Sequence, residues 1–327
     1  MTKEDDWGVF NLSYTMRKII GIGETIFDIL FKNNQPYKGE PGGSMFNAMI
    51  SLGRMGLNPS YISEIGRDRI GRLIFDFMQD NGVQTAQMYQ YYEGKSPISL
   101  AFINEGKEPQ YDFYMSYPTD RLDIVWPRID SDDIILFGSF YSLNAALRPA
   151  LIDLLNYARE RNALIFYDPN FRKEHTDQAL WLSAQIIENL EFASLVRGSV
   201  SDFQNMYKEI DVNKIYLDHI KFYCPNFICT DSANGIYLKT NRVDKFYRIE
   251  PAVMPISTVG AGDSFNAGII YGLLCNHVSL EQLPELEEDI WDKVINMGIL
   301  FASHVCQSND NYISREFASE IKKQYSF

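Results

Sequence analysis

Residues 257–268 have the sequence STVGAGDSFNAG. They follow a β-favouring run, 245–256, and they lead into an apolar run, 265–274, whose small residues suit a tightly packed buried helix. The pattern predicts a strand, a glycine turn and a helix in that order.

The two glycines of the stretch, Gly260 and Gly262, allow backbone conformations that are closed to other residues. Successive N–H groups, including that of Ala261, can then point into one concavity at the positive end of the helix dipole, which suits a phosphate. Asp263 stands at the rim of this concavity. Its carboxylate either caps the helix N-terminus or accepts a proton from a hydroxyl that attacks a phosphorus atom, and these residues alone leave both roles open.

The composition limits the class of protein. The chain has 327 residues, of which 46% are hydrophobic, so it can bury a large core as one α/β domain, alone or with a small satellite. Its 30 basic and 43 acidic side chains give a net charge of −13. This excess of acid argues against nucleic acid or an anionic membrane as the main partner.

We predict a cytoplasmic protein whose folded part follows an N-terminal extension, residues 1–16. The extension is polar and lacks the continuous apolar core of a signal peptide, and no later apolar run is long enough to span a bilayer. The cysteines do not have a zinc-type spacing, and we expect buried free thiols in a reducing compartment. They are Cys224, Cys229, Cys275 and Cys306.

A first strand is predicted at residues 17–24, and its Gly21-Ile22-Gly23 resembles the start of a dinucleotide-binding fingerprint. Ile26 stands where the third glycine belongs, and residues 27–31 alternate like a strand instead of opening a helix. We therefore reject a dinucleotide fold. Asp28, an acid flanked by apolar residues, is either a buried structural carboxylate or an acceptor for a ligand hydroxyl.

The next part of the chain is rich in tyrosine and in short strands. Residues 32–39 are turn-rich, and strands are predicted at 88–92, 98–103 and 111–115 with no convincing helix between them. We predict an antiparallel β insertion, which the strand at 27–31 joins.

The remainder of the chain alternates between strands and helices. Strands are predicted at 134–138, 164–167, 195–197 and 227–230, and a long helix at 290–305. This alternation predicts a doubly wound, mostly parallel sheet in a three-layer α/β/α sandwich, which binds ligands at the carboxyl ends of its strands. The candidate residues that follow strand ends are Asp168, Asn170, Arg172, Asp202, Ser232 and Asp263.

Three motifs resemble those of the ribokinase-like (PfkB) carbohydrate kinase family, and the likeness runs over about residues 17–313. The first is Gly42-Gly43 followed by Asn47 and by LGRMG at 52–56. The second is DPNFR at 168–172, which is most similar to the fructokinase and 2-keto-3-deoxygluconate kinase branches. The third is GAGD at 260–263. Each motif is weak alone, but the three in this order are specific.

The resemblance implies transfer of the γ-phosphoryl group of ATP to a sugar hydroxyl in the presence of Mg²⁺. Asp263 is then the base that takes the hydroxyl proton, and the amides of Gly260, Ala261 and Gly262 form an anion hole for the phosphoryl oxygens. The alternative for these amides is an ordinary helix start. Asp202 corresponds to an acid that organises Mg²⁺ through waters.

The resemblance also implies which residues contact the two substrates. Arg172 would clamp a phosphate or a substrate carboxylate, or else form an ion pair on its loop. The sugar-binding residues are Asp28, Gly42, Gly43, Asn47, Asn170 and Arg172. The nucleotide-binding residues are Thr230, Ser232, Gly235 and Asn296, of types that otherwise serve local turns and caps.

The β insertion, drawn from about residues 27–41 and 84–118, would be a lid within a kinase domain that spans residues 17–327. By closing over the sugar, such a lid excludes water that competes as a phosphoryl acceptor. The alternative is a dimerisation sheet. Because the two roles are compatible, the lid is also a candidate surface for a homodimer.

Four positions depart from the family pattern. Ser257 replaces an acid that helps to bind a monovalent cation in many members, which leaves a need for potassium open. The magnesium-associated Asn-x-x-Glu has become SVSD at 199–202, and the second glycine of the nucleotide turn is Ser232. Residues 307–311 replace a Gly-Ala pair near the C-terminus. The base and the anion hole are intact.

The sequence thus predicts a Mg-ATP-dependent sugar kinase that phosphorylates a terminal hydroxyl, with fructose as the leading substrate. A 2-keto-3-deoxygluconate kinase is the nearest alternative, and it would use extra positive charge such as Arg172. A non-catalytic sugar or nucleotide sensor on the same fold is the other alternative, motivated by the four departures. The intact Asp263 argues against a sensor, because a pure binder gains little from a base at that rim.

Overall fold

A computed structural model describes residues 17–103, 110–249 and 254–325. The extension predicted at residues 1–16 lies outside these ranges. The strands are β1 (Ile19–Ile22), β2 (Ile26–Lys32), β3 (Gln35–Gly42), β4 (Ser60–Gly66), β5 (Met88–Tyr91), β6 (Lys95–Ile103), β7 (Gln110–Ser116), β8 (Ile134–Gly138), β9 (Leu164–Asp168), β10 (Leu195–Ser199), β11 (Phe227–Asp231), β12 (Gly235–Lys239) and β13 (Asp244–Tyr247).

The helices of the same ranges are α1 (Ser44–Arg54), α2 (Arg69–Asp80), α3 (Arg148–Glu160), α4 (Ser183–Phe192), α5 (Val200–Tyr207), α6 (Val212–Lys214), α7 (Ala261–Cys275), α8 (Glu288–Cys306) and α9 (Arg315–Gln324). Short 3₁₀ turns occur at Phe140–Leu143, Lys173–Gln178 and Leu283–Glu285, and a π-helical turn at Ile215–Ile220. The long helix predicted at 290–305 is confirmed as α8.

Within the described residues, the large sheet has nine strands in the order β13-β12-β11-β10-β9-β8-β1-β4-β5. All neighbours from β11 to β5 pair in parallel, and β12 and β13 add antiparallel pairings at one edge. The predicted doubly wound, mostly parallel sheet is confirmed.

Helices cover both faces of this sheet, so its strands are apolar on both sides. Ile19 of β1 packs into a core with residues of α1, α2, α7, α8 and α9, while the next residue, Ile20, packs into a second core with residues of α3, α4 and α5. The sheet therefore lies between two layers of helices, with one core on each of its faces. This is the three-layer sandwich that the alternation of strands and helices predicts.

Two smaller findings concern the described ranges. No helix in them is both long and apolar enough to cross a membrane.

The four cysteines are free thiols: Cys224 and Cys229 are buried, whereas Cys275 and Cys306 are half-buried.

The predicted β insertion is a separate four-stranded sheet in the order β3-β2-β6-β7. Its outer pairs, β2 with β3 and β6 with β7, are antiparallel, and β2 and β6 pair in parallel. The strands predicted at 27–31, 98–103 and 111–115 are confirmed as β2, β6 and β7. We refer to these four strands as the small sheet.

One strand of the small sheet was missed in the segment predicted to be turn-rich, residues 32–39. Asn33 and Asn34 have φ angles of 52° and 58°, as a tight two-residue hairpin turn requires, and the chain then returns as β3. Pro36 and Pro41 make this strand hard to predict, because proline is rare in strands. The sheet tolerates them because β3 lies at its edge, where a missing N–H donor breaks few pairings.

Another strand predicted for the insertion belongs to the large sheet. Met88–Tyr91 pairs in parallel with β4, with Met88 opposite Ser63, so it forms the edge of the large sheet. The second segment of the small sheet therefore starts at Lys95 and not near residue 84. The alternating pattern of residues 88–92 fits an edge strand of either sheet, and only the tertiary pairing decides between them.

The strand predicted before the glycine turn is shorter than expected. β13 ends at Tyr247 and pairs antiparallel with β12, and no strand occurs among residues 254–260. Pro255 cannot donate to a strand ladder, and Ile256 N instead donates to Cys306 O at 2.8 Å. An irregular segment held by the end of α8 thus leads into the glycine turn.

Glycines allow α7 and α8 to pack very closely. A Cβ on Gly268 would lie 2.6 Å from Met297 O and 2.7 Å from Gly298 Cα. A Cβ on Gly272 would lie 2.9 Å from Val294 Cα. Because no side chain separates the backbones, this contact fixes the position of α7 and of the turn at its N-terminus.

We expect Gly268→Ala to lower the free energy of unfolding by about 1–3 kcal/mol, because the added methyl group forces the two helices apart. Ser303→Ala, on the exposed face of α8, gains similar helix propensity without a clash and should change stability by less than about 0.5 kcal/mol. Urea unfolding followed by circular dichroism measures both. Equal stabilities for the two variants would contradict the close packing.

Candidate active site

Polar side chains gather at the carboxyl ends of the parallel strands. Asp168 ends β9 and Ser199 ends β10, and the N-termini of α1 and α7 reach the same edge of the large sheet. Parallel strands leave a crevice at this edge, because their connections run to opposite faces of the sheet.

The glycine turn opens α7. Gly260 is the residue before the helix and has a φ of 77°, which glycine adopts without strain. A Cβ at Gly260 would lie 2.3 Å from Asn311 O, so the loop after α8 leaves no room for a side chain. The turn presents the first N–H groups of a 15-residue helix, and this arrangement suits an anion.

Asp263 lies in the first turn of α7 and is 7% exposed. Ser44 Oγ donates to its Oδ1 at 2.7 Å, and Asn47 Nδ2 donates to its Oδ2 at 2.8 Å. Both donors belong to α1, about 220 residues earlier in the chain. The carboxylate is therefore held by a neighbouring helix and not by the N–H groups of its own helix, as a cap would be.

Burial raises the pKa of Asp263 from 3.8 to about 6. The hydrogen bonds from Ser44 and Asn47 lower this pKa, the negative charge of Asp168 raises it, and the positive charge of Arg172 lowers it. The result is a carboxylate that is ionised at neutral pH and is a stronger base than an exposed Asp.

Asn170 and Arg172 follow β9 and reach the same place. Asn170 Nδ2 donates to Ser44 Oγ at 2.8 Å, and Arg172 Nε donates to Asn170 Oδ1 at 3.3 Å. The Arg172 side chain is exposed, so it borders the crevice. Ser44 thus links Asn170 to Asp263 in one chain of hydrogen bonds.

Asp28 approaches the crevice from the small sheet. Ser99 Oγ donates to its Oδ1, and burial raises the pKa of Asp28, while Ser99 and Arg172 lower it. A Cβ at Gly42 would lie 2.6 Å from Asp28 Oδ2, so glycine is needed for this approach. The positive charge of Arg172 lowers the pKa of both Asp28 and Asp263.

Gly43 has a different reason to be glycine. Its φ is 130°, and a Cβ there would lie 2.4 Å from Glu24 O. It is the residue before α1, and it gives no side-chain cap to that helix. The chain can therefore turn sharply from β3 into α1 and place Ser44 and Asn47 opposite Asp263.

Asp168 lies beneath this group and is fully buried. Its Oδ2 accepts from Asn266 Nδ2 at 2.5 Å and from Arg197 Nη1 at 3.0 Å, and its Oδ1 accepts from Asn170 N at 3.0 Å. One carboxylate thus connects β9, β10 and α7.

Several residues of this network have no site role among the predictions made from the sequence. Only Arg197 gives a clear signal, because a charged residue follows the apolar Leu195 and Val196 in a predicted core strand. Ser44 resembles an ordinary helix start, and Asn266 resembles a small residue of a packed helix. The unassigned residues are Ser44, Ser99, Arg197 and Asn266.

The predicted nucleotide-side residues are only partly brought together. Thr230 Oγ1 accepts from Arg197 Nη2 at 2.8 Å. Ser232 lies in the turn between β11 and β12, and Gly235 is the first residue of β12, with φ angles of 48° and 149° respectively. Asn296 is exposed on α8, about 15 Å along the helix axis from Cys306. Its place near a nucleotide stays a prediction.

Asp202 caps the helix in which it lies. Its Oδ2 accepts from Ser199 N at 2.6 Å and from Ser199 Oγ at 2.7 Å, and Ser199 Oγ accepts from Asp202 N in return. Burial, followed by the charge of Asp168, raises the pKa of Asp202 to about 6. No cluster of three or more His, Cys, Asp or Glu side chains that could hold a metal exists in the described ranges. A single carboxylate fits Mg²⁺ that keeps its waters and phosphate ligands.

The comparison with known protein families gives one match over most of the chain. Residues 12–308 match the model of the pfkB family carbohydrate kinases. The resemblance drawn from the three sequence motifs is confirmed by this match.

Curated relatives are similar at low identity. The chain is 26% identical over 268 residues to probable fructokinase-6, chloroplastic, of Arabidopsis thaliana, and the alignment covers 76% of this chain and 66% of that protein. It is 27% identical over 250 residues to the 5-dehydro-2-deoxygluconokinase of Geobacillus thermodenitrificans, with 71% and 72% covered. The chain thus spans about two thirds of the length of the plant relative.

Solved structures share the fold. The fructokinase of Vibrio cholerae O395, in its fructose, ADP and calcium ion bound form, has a TM-score of 0.77 at 18% identity, with 90% of this chain and 94% of that chain covered. The aminoimidazole riboside kinase of Salmonella enterica, complexed with aminoimidazole riboside and an ATP analog, has a TM-score of 0.75 at 20% identity, with 94% and 99% covered.

The raised pKa of Asp263 predicts how the fold responds to its replacement. An acid whose pKa is higher in the folded state contributes stability below its ordinary pKa and loses that contribution as the pH rises through the folded value. Asp263→Asn should therefore be more stable than the wild type at pH 8, by at most about 3 kcal/mol. This advantage should shrink as the pH falls from 6 to below 4.

The amide can be accommodated because Asn47 Oδ1 is buried and accepts no hydrogen bond from the described residues, so a flip of Asn47 offers it an acceptor. Urea unfolding at a series of pH values measures the effect. Asp76→Asn, at an exposed acid on α2, is the control and should change stability by less than about 0.5 kcal/mol. An Asp263→Asn variant less stable than the wild type at pH 8 would refute the raised pKa.

Proposed function

The chain belongs to the pfkB family of carbohydrate kinases, and we propose that it transfers the γ-phosphoryl group of ATP to a terminal hydroxyl of fructose. One observation carries the proposal: the buried carboxylate of Asp263 lies beside the N–H groups of the glycine turn and is held from α1 by Ser44 and Asn47. A base and an anion site thus lie side by side at the edge of the sheet where ligands bind.

In this reaction Asp263 takes the proton of the sugar hydroxyl as the hydroxyl oxygen forms its bond to the γ-phosphorus and the bond to ADP breaks. The amides of Gly260, Ala261 and Gly262 donate to the phosphoryl oxygens, whose charge is spread in the transition state. The proton then leaves Asp263 for solvent, and the base is restored.

Mg²⁺, when bound with ATP, neutralises part of the phosphate charge, and Asp202 would hold it through waters. Both contacts of Asp202 with Ser199 use the same carboxylate oxygen, Oδ2. Asp202 can therefore cap α5 and still offer its other oxygen to a magnesium-bound water. Thr230, Ser232, Gly235 and Asn296 are the proposed residues on the nucleotide side.

The sugar would be oriented by polar groups that converge on the space beside Asp263. Asp28 accepts from sugar hydroxyls, and Asn47, Asn170 and Arg172 donate to them. Gly42 and Gly43 allow the backbone to approach closely. The small sheet, which carries Asp28, is the proposed lid that excludes water from the reaction.

The charges around this space favour a neutral sugar. In the proposed site Asp28 and Asp263 both contact the sugar, while Arg172 is an exposed cation whose charge lowers the pKa of both acids. A sugar acid would bring a further negative charge to two carboxylates and would have to compete for the same arginine. The fructokinase names of several relatives agree with this choice, and 2-keto-3-deoxygluconate is the alternative substrate.

We expect ATP consumption that depends on added fructose and exceeds that with 2-keto-3-deoxygluconate, ribose or tagatose. Asp263→Asn should lower kcat by about 10²–10⁴-fold, because the variant cannot accept the proton. The wild-type rate should fall as the pH drops through about 6, because protonated Asp263 is inactive as a base. Asp76→Asn is the matched control and should retain activity.

Each contrary outcome has a distinct meaning. Faster turnover with the sugar acid would identify a 2-keto-3-deoxygluconate kinase. Binding of sugar or ATP without turnover would identify a sensor. Full activity of Asp263→Asn would show that Asp263 is not the base, and it would not affect the assignment of the substrate.

The small sheet also supports a homodimer. Its edge strand β7 exposes 50% of Phe113, 60% of Tyr114 and 53% of Met115, which is unusual for large apolar side chains on an edge strand. A neighbouring groove of about 690 Å³ is lined by Ile29, Ile98 and Leu100 and by the same strand. A second copy of the sheet would cover this surface.

We expect the wild type to sediment as a dimer and the double variant Tyr114→Glu/Met115→Glu to sediment as a monomer, since charges at this edge oppose pairing. Leu73→Glu, on the exposed side of α2, is the control and should leave the dimer intact. Analytical ultracentrifugation measures all three. A wild type that stays monomeric at micromolar concentration would contradict the proposed dimer.

A further inference from the structure

Arg197 is a charged residue in the interior of the large sheet. It lies on β10, between β9 and β11, and is 6% exposed. Arginine is almost never buried to this extent without partners, because removing its charge from water is unfavourable. Its position near the carboxyl ends of the strands places it directly beneath the glycine turn.

The two ends of the Arg197 guanidinium reach in different directions. Nη1 donates to Asp168 Oδ2 at 3.0 Å, and Nη2 donates to Thr230 Oγ1 at 2.8 Å. The charged group also lies 5.7 Å from the centre of the Phe265 ring on α7. Three strands and one helix therefore fix the plane of the guanidinium, which a single ion pair would leave free to rotate.

Gly262 packs against this guanidinium. A Cβ at Gly262 would lie 3.0 Å from Nη1 and 3.0 Å from Nη2, so both nitrogens face the Cα of the glycine turn. Glycine at 262 therefore suits the close approach of Arg197, whereas the positive φ of the turn belongs to Gly260 and Gly262 lies within α7. The arginine carries a full positive charge directly behind the N–H groups that face the crevice.

The surroundings of Arg197 are otherwise negative. Asp168, Asp202 and Asp263 are all buried, and the charge of each acts on Arg197. A polyphosphate that enters the crevice meets these carboxylates, which repel it. Among the described residues, Arg197 is the buried cation that lies among all three.

We propose that Arg197 is a positioning residue for the phosphoryl group, which holds the glycine turn in its anion-binding shape and supplies the positive charge that a polyphosphate needs at this acidic site. The inference rests on the proposed function, because it takes the anion to be the phosphate chain of ATP. Arg197 acts through Gly262 and does not touch the substrate.

The rival role is neutralisation alone, in which Arg197 serves only to balance the buried charge of Asp168. The two roles differ in a double variant. Arg197→Met/Asp168→Asn removes both charges, and the asparagine can still accept from Asn266. If neutralisation is the whole role, removing both charges restores phosphate binding. If Arg197 serves the phosphate, the defect remains.

The experiment measures the equilibrium binding of Mg-ATP and of adenosine by calorimetry, without sugar. The quantity compared is the ratio of the association constant of Mg-ATP to that of adenosine, which isolates the contribution of the phosphates. Arg197→Met should lower this ratio by about 10- to 100-fold, the range for loss of one charge-assisted interaction, and Arg197→Lys should lower it less. The double variant should retain the loss. Arg148→Met is the matched control, because Arg148 donates to Ser142 O at 2.9 Å and pairs with Glu188 away from the crevice.

The outcomes separate this inference from the proposed function. A wild-type ratio near one would contradict the proposed use of ATP. If Arg197→Met has the same ratio as the wild type, the proposed role of Arg197 is wrong. It is also wrong if Arg197→Met lowers the ratio and the double variant returns it to the wild-type value. Circular dichroism of each variant checks folding, and if Arg197→Met does not fold, Arg197→Lys and the double variant provide the same comparison.

Discussion

The site depends on a buried carboxylate held between two distant helices. Asp263 is nearly removed from water, and Ser44 and Asn47 on α1 compensate part of the resulting penalty with hydrogen bonds of 2.7 and 2.8 Å. Removal from water keeps the pKa of this group near 6, where it is both ionised at neutral pH and basic enough to take a proton. A more exposed Asp would be a weaker base, and one without these hydrogen bonds would have a still higher pKa.

The position of this carboxylate follows from backbone packing further away. Gly268 and Gly272 let α7 lie directly against α8, and the loop after α8 closes on Gly260. The glycine turn is therefore fixed from one side by α8 with the loop that follows it and from beneath by Arg197. These contacts hold the N–H groups of the turn in place before any ligand arrives, which is the property that an anion hole requires.

The same arrangement concentrates unfavourable charge. Three buried aspartates lie close to one arginine, and burial raises the pKa of two of them, Asp202 and Asp263. This cluster of buried charges lowers the stability of the fold, but it provides groups that can react with a charged substrate. Active sites commonly combine these two properties. The small sheet adds Asp28, so the proposed lid would also contribute negative charge to the crevice.

Much of this protein follows from the sequence by itself. Apolar runs that alternate with helical segments determine the parallel sheet, and the glycines around Asp263 determine a turn that can bind an anion, because both are properties of short stretches of chain. Tertiary structure decides what local pattern leaves open. Met88–Tyr91 joins the large sheet because β4 offers it a partner, and Asp263 is released from capping because Ser44 and Asn47 reach it from α1. The role of Arg197 likewise depends on contacts with Asp168, Thr230 and Gly262, which are far apart in sequence and meet only in the folded chain.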